Sequence, residues 1–312
     1  METMVIYQIF TRLFKNNKSE NVKFGTYDQN GCSKFNDFTV KILTGLKEFG
    51  YTHIWFTGII EHSTTTDYSD FSIPNSNPYT VKGRAGSPYA VRDYYDVDPD
   101  LAVNVNQRIT EFFQLVERCH VVGLKVIIDF VPNHVARQYI SDNKPVDVKD
   151  FGENDEKEFS FLPSNNYYYV PGASLVMPLI NFPYTDTKEK YYENPAKATG
   201  NNIFSNTPSI NDWYETVKLN YGVDYQLWNQ KNFNPIPDTW LKMFDILKFW
   251  SSFKVDGFRC DMAEMVPVEF WEWVIPKIKQ ENPEIFFIAE IYNPFEYSNY
   301  INKGAFDFIY DK

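Results

Sequence analysis

The chain has 312 residues, 43% of them hydrophobic and 23% charged, a balance that suits a soluble protein with one large domain or a domain carrying an insertion. Its net charge of −11, with no Lys/Arg-rich run as a local exception, argues against nucleic acid and against an anionic membrane surface, and favours a neutral substrate. Aromatic residues make up 18% of the chain, more than a core alone requires, and the surplus could form flat platforms suited to sugar rings.

In chain order, "MVIYQIF" (4–10) predicts a first strand. The opening "METMVIYQIFTRLFKNN" has too short an apolar run and no small-residue cleavage site for a signal peptide. No stretch approaches the ~20 apolar residues that span a bilayer. The expectation is a soluble protein, cytoplasmic or exported with its leader removed. "FTVKILTGLKEFG" (38–50) is amphipathic with Gly50 as C-cap and leads into the strand "YTHIWFTGII" (51–60). "VNQRITEFFQLVERCHVVG" (105–123) is a second helix, followed by the strand "LKVIIDFV" (124–131).

From 135 to about 237 the texture changes to Asn-, Pro-, Gly- and Tyr-rich sequence without a clear period. That is far longer than an ordinary connection, and it predicts a subdomain inserted after the third strand. Regular alternation then resumes. "TWLKMFDILKFWSSF" (239–253) precedes "KVDGFRCD" (254–261), "PVEFWEWVIPKIKQ" (267–280) precedes "EIFFIAEI" (284–291), and "GAFDFIY" (304–310) is the last run. The divisions expected are therefore 1–134, 135–237 and 238–312. Apolar strands alternating with helices predict a parallel sheet, for which a β/α barrel and a doubly wound sheet both fit.

Chemistry is sought at the C-terminal ends of such strands. The third run ends in Asp129, followed by "VPNH" with Asn133 and His134; the fourth carries Arg259, Asp261 and Glu264; the fifth ends in Glu290. Arg259 and Asp261 share a face because side chains alternate along a strand. The arginine is expected to keep Asp261 ionised, while the apolar residues before Glu290 raise its pKa. One anion and one proton donor on adjacent strand ends is the pair a retaining glycosidase needs, ~5–5.5 Å apart. The bland alternative is a satisfied buried ion pair with a rim acid. Cys32, Cys119 and Cys260 lack metal spacing and are expected to be free thiols; the four histidines lack zinc spacing.

"DFVPNH" (129–134), "GFRCDMAEM" (257–265) and "FFIAEIY" (286–292) resemble, in order and separation, three signature segments of the α-amylase superfamily, glycoside hydrolase family 13. "GSPYAVRDYYDVDPDLA" (86–102) and "LKEFGYTHIWFTGI" (46–59) are similar to that family's segments around the second barrel strand. The resemblance runs from about Val5 to Tyr310. It implies a TIM-type (β/α)8 barrel, of which this chain covers about the first six strands, and hydrolysis of α-1,4-glucosidic bonds through a covalent glycosyl–Asp261 intermediate. In it Asp261 is the nucleophile, Glu290 the general acid/base and Arg259 the residue that positions the nucleophile. His134 would bind sugar hydroxyls and Tyr89 would stack under the same ring, with Asp129 organising the strand end. Asn133 corresponds to a frequent ligand of a structural calcium; its co-ligands are not identifiable, and the chemistry itself needs no cofactor.

The chain departs from the family at Glu264 and Met265, where many members carry Lys-His, and at Ser87 and Pro88. No segment of the Asn/His-His-Asp type, which holds the family's third acid, is found before Lys312. A barrel cut after six strands would leave exposed edges, so the expectation is the front portion of a longer enzyme, partnered by the rest of its own chain and by an α-glucan or maltooligosaccharide. Two rivals stand beside hydrolysis: a transglycosylase with the same residues, and a glucan-binding scaffold without catalysis.

Overall fold

The computed structural model describes residues 3–18, 20–178 and 190–310. Six parallel strands form its main sheet: β1 (Ile6–Phe10), β2 (His53–Thr57), β3 (Lys125–Phe130), β4 (Gly257–Cys260), β5 (Phe286–Glu290) and β6 (Phe308–Tyr310). Each strand pairs with the next in sequence, with no reversal of order. A doubly wound sheet would reverse direction at a switch point; a barrel does not. The sequence pattern left both open, and the strand order decides for the barrel type.

Curvature follows from contacts across the sheet. Trp55 of β2 meets Tyr310 of β6 edge to face at 5.6 Å, and His53 meets Phe286 of β5 at 5.4 Å, although two strands or more separate each pair in the ladder. Only a rolled sheet brings such residues together. Trp55, Ile127, Phe286 and Ile288 form the inner apolar cluster, with Ile6 and Tyr310 packed against it. Gly257 makes this packing fit, since a Cβ there would lie 2.4 Å from Phe286 Cε2.

The opposite parity of each strand faces the helices. Ile54, Phe56, Val126, Ile128, Phe130, Phe258, Phe287 and Ala289 belong to the larger core cluster. Apart from a single turn at Tyr27–Asn30, the α-helices among the described residues are α1 (Val40–Glu48), α2 (Arg108–Val121), α3 (Asp238–Ser252), α4 (Val268–Glu281) and α5 (Tyr297–Asn302). α2 buries Phe112, Leu115, Val116 and Cys119, one stripe at 3.6-residue spacing. After α1, Gly50 takes φ +96°, the left-handed step expected of a residue just past a helix end. β6 is shorter than the run 304–310 predicts, because Gly304 and a left-handed Ala305 (φ 60°) still belong to the turn after α5.

Among the described residues between β3 and α3 the chain makes short antiparallel pairs: His134–Ala136 with Thr216–Lys218, Tyr169–Val170 with Ala196–Lys197, and Val223–Asp224 with Gln230–Lys231, with a single bridge between Tyr167 and Leu219. Val135, Phe151, Tyr167, Val217 and Tyr221 of this stretch lie in the same core cluster as the barrel helices. The predicted 135–237 segment thus shares its core with the barrel; residues 179–189 within it, like 311–312 at the end of the third division, lie outside the described residues.

Candidate active site

The inward parity of β3, β4 and β5 carries Ile127, Phe286 and Ile288 in the middle of the sheet and Asp129, Arg259 and Glu290 toward its C-terminal end. Register places Asp129 opposite Arg259 and Arg259 opposite Ile288, with Asp261 and Glu290 one step further on. Asp261 lies just past β4, and its N–H donates to the Phe130 carbonyl at 2.8 Å, so it extends the ladder by one residue. The chain then turns at Met262 in the left-handed region (φ 47°, ψ 41°). A non-glycine residue held there costs about 1–3 kcal/mol and persists only where surroundings impose it. Here the turn aims the Met262 N–H at Glu290 Oε2, 3.0 Å away.

Arg259 is the hub. Its Nη1 donates to Asp261 Oδ1 at 2.7 Å and to Asp129 Oδ1 at 3.2 Å, while Nη2 pairs with Glu290 Oε1. All four side chains are buried, and the guanidinium also lies over the rings of Trp55 and Tyr89, at 5.1 and 5.7 Å. Neighbouring nitrogens of one planar group thus hold Asp261 and Glu290.

Electrostatics depart from the simple expectation. Burial is the largest influence on Asp261 and pushes its pKa well above the usual carboxylate range; Arg259 opposes this, while Glu290 and Asp129 add to it. Asp129 is pushed up to about 6, again chiefly by burial and against the pull of Arg259. Burial works against the charge on Arg259, but the three carboxylates outweigh it and hold the guanidinium protonated. A single cation shared by three buried acids cannot keep Asp261 at a low pKa. Phe287 and Ala289 point to the helix side, and Glu290 itself contacts Arg259 Nη2, the Met262 N–H and the Tyr292 hydroxyl (3.1 Å).

These groups form the floor of a cavity of about 260 Å³. Of the residues singled out in sequence, Arg259, Asp261, Glu290, His134 and Tyr89 all line it. Asp129 sits behind Arg259, and Asn133 sits behind His134, its Nδ2 3.0 Å from the His134 Nδ1. His134 is buried, with its pKa lowered to about 3 by burial first and by Lys218 second. The imidazole is therefore neutral at ordinary pH.

Sequence reasoning missed Lys82, Trp213, Glu215 and Tyr292, which line the walls together with Ser87, Thr216 and Met262. Lys82 pairs with Glu215 at 2.9 Å, and the Trp213 ring lies 5.2 Å from that of His134. A tryptophan in an Asn-rich loop was the one available signal. Lys218 was missed as well: fully buried, it donates from Nζ to Asn133 Oδ1 and to the Met265 carbonyl. Burial pulls its pKa down to about 7. Among the described residues, the one cluster of carboxylates close enough to share a metal ion is Glu61, Asp93 and Asp96, away from the cavity. Arg92 and Arg108 already pair with two of its members.

A family model for the alpha amylase catalytic domain matches residues 8–306. Neopullulanase 2 of Thermoactinomyces vulgaris is 25% identical over 313 residues, covering 97% of this chain and 41% of its own length. A cyclomaltodextrin glucanotransferase of Geobacillus stearothermophilus is also 25% identical, over 91% of this chain and 34% of its own. Among solved structures, the Nostoc punctiforme debranching enzyme, soaked with acarbose, superposes with a TM-score of 0.58 at 19% identity, over 98% of this chain and 52% of that one. That likeness shows the fold alone. The chain spans less than half the length of these two curated relatives and about half that of the solved structure.

Proposed function

The chain belongs to the α-amylase catalytic-domain family, and on that premise we propose that it carries the catalytic centre of a retaining glycosidase acting on α-1,4-linked glucans. The observation that supports this best is the Arg259 guanidinium joining Asp261 and Glu290 at the ends of adjacent strands, on the floor of a cavity walled by Tyr89, His134 and Trp213. A binding surface has no need of two facing acids; a double displacement does.

In the first step the Asp261 carboxylate attacks the anomeric carbon while Glu290 gives its proton to the departing glycosidic oxygen. In the second, Glu290 takes a proton from water, whose oxygen attacks the same carbon and releases Asp261. The anion on Asp261 is costly in the buried site, and developing positive charge on the sugar offsets that cost in the transition state. Preorganised charge of this kind is where most catalytic stabilisation arises. The neutral His134 and the Tyr89 ring hold the sugar by hydrogen bonding and stacking. Residues 135–237 are read as an insertion that supplies Trp213 and Glu215 to one wall.

Transfer to a sugar in place of water is the second reading, favoured by equal identity to a hydrolase and a glucanotransferase among the relatives. Incubation with a maltooligosaccharide separates the two, since products longer than the substrate indicate transfer. Asp261→Asn should lower kcat at least ~10³-fold, a loss of about 4 kcal/mol, with glucan binding retained. Equal activity in that variant ends the proposal.

A further inference from the structure

Lys218 is buried to 1% exposure, and its partners among the described residues are neutral: Asn133 Oδ1, the Met265 carbonyl at 2.9 Å, and the Tyr225 ring at 5.3 Å. An ammonium buried without a carboxylate is expensive, so its presence calls for a task. Its two oxygen partners belong to different strand ends. Asn133 follows β3 and precedes His134; Met265 follows β4, four residues after Asp261. Lys218 itself stands opposite His134 in the antiparallel pair of 134–136 with 216–218. One side chain thus ties both flanks of the cavity together.

The tie also has a direction. A protonated lysine carries only donors, so Asn133 must turn its oxygen toward it and its Nδ2 the other way. That Nδ2 donates to the Gly200 carbonyl at 2.9 Å and faces His134 Nδ1 at 3.0 Å. Nδ1 can accept there only if it carries no proton. The neutral ring must then hold its hydrogen on Nε2, a tautomer set by the partner of the other nitrogen.

We infer that Lys218 stands where the family resemblance would put a divalent cation, and that through Asn133 it locks His134 as an Nε2–H donor at the cavity wall. The residues do not fit calcium, which takes six to eight oxygens including carboxylates. Among the described residues, the two oxygens that meet Lys218 both already accept from it, and the carboxylate cluster close enough to share an ion lies elsewhere. Lys218 is a positioning residue and touches no reacting atom.

Two measurements test this without any glucan, so their failure is distinct from failure of the proposed activity. In the first, the purified protein is dialysed against EDTA or given millimolar calcium, and thermal unfolding and bound metal are measured. Unchanged unfolding and substoichiometric calcium are expected; one tightly bound equivalent, or a chelator-induced fall of several degrees, overturns the inference. In the second, nitrogen-15 histidine spectra are recorded at mildly acidic pH, where His134 is still neutral, with its signals assigned by loss in His134→Gln. The wild type should show the Nε2–H tautomer, Lys218→Arg should keep it, and Lys218→Met should shift the ring to a mixture. The Nδ1–H tautomer in the wild type, or an unmoved one in Lys218→Met, refutes it. Should Lys218→Met not fold, the wild-type spectrum and the metal measurement still decide.

Discussion

Neutralising Asp129 should make the protein more stable and less active. Asp129 is buried behind Arg259, and its pKa stands at about 6 against an ordinary 3.8. An acid whose folded pKa is raised favours folding below its unfolded value and loses that contribution as pH rises toward the folded one. The window is therefore about pH 4 to 6, and the difference of roughly two units corresponds to about 3 kcal/mol at neutral pH. Asn is nearly isosteric and its oxygen can still accept from Arg259 Nη1, so Asp129→Asn removes the charge and keeps the contact. The variant should be up to ~3 kcal/mol more stable than wild type at pH 7, with the gain vanishing below about pH 4, where Asp129 is protonated in both states. Urea denaturation at several pH values measures this directly. With one of its three acid partners neutralised, Arg259 is held less firmly and kcat should fall, a trade of activity for stability. A variant equally destabilised at every pH would refute the charge argument, because it would mean that the hydrogen bond outweighs the burial of the anion.

Two further outcomes follow from packing. Gly257→Ala brings a methyl group within 2.4 Å of the Phe286 ring and should cost about 1–3 kcal/mol, part of which Phe286→Leu recovers in the double variant, read as a rise in Tm. An unaltered Tm in the single variant would mean that the inner face is looser than described. The thiols of Cys119 and Cys260 are buried with pKa values raised by that burial, Cys119 to about 12, and half-buried Cys32 is raised to about 12 for the same reason. Since only the thiolate reacts, iodoacetamide at pH 8 should leave the native protein unlabelled and modify all three cysteines after denaturation. Rapid labelling of native Cys260 would contradict the packing of β4.

How far the site was legible depended on distance along the chain. Arg259 and Asp261 are two residues apart, and strand periodicity alone puts them on one face; Glu290 ends the next apolar run, so adjacency of strands was the single further assumption. Six strands, the helices before β2, β3, β4 and β5, and the signature segments at the strand ends could be read from sequence, whereas the short helix Tyr297–Asn302 before β6 was not. Lys82, Trp213, Glu215 and Lys218 could not. Lys82, Trp213 and Glu215 lie in irregular stretches where no period assigns a facing direction, and Lys218, in a strand of three residues, meets Asn133 across 85 residues of sequence.

The amino-acid sequence by itself determined which residues lie at strand ends and which parity they share, because that information is carried by a repeat of two residues along a local segment. It also sufficed for family membership, through short segments in a fixed order. The strand pattern fits a rolled and a doubly wound sheet equally, since both use the same strands; the family resemblance implied the barrel, and the strand order of the folded chain shows it. The division of charge was likewise beyond sequence. Arg259 was expected to serve one acid and in the folded chain serves three. Burial and Coulomb interaction depend on distances between strands, and those distances exist only once the sheet has formed and rolled.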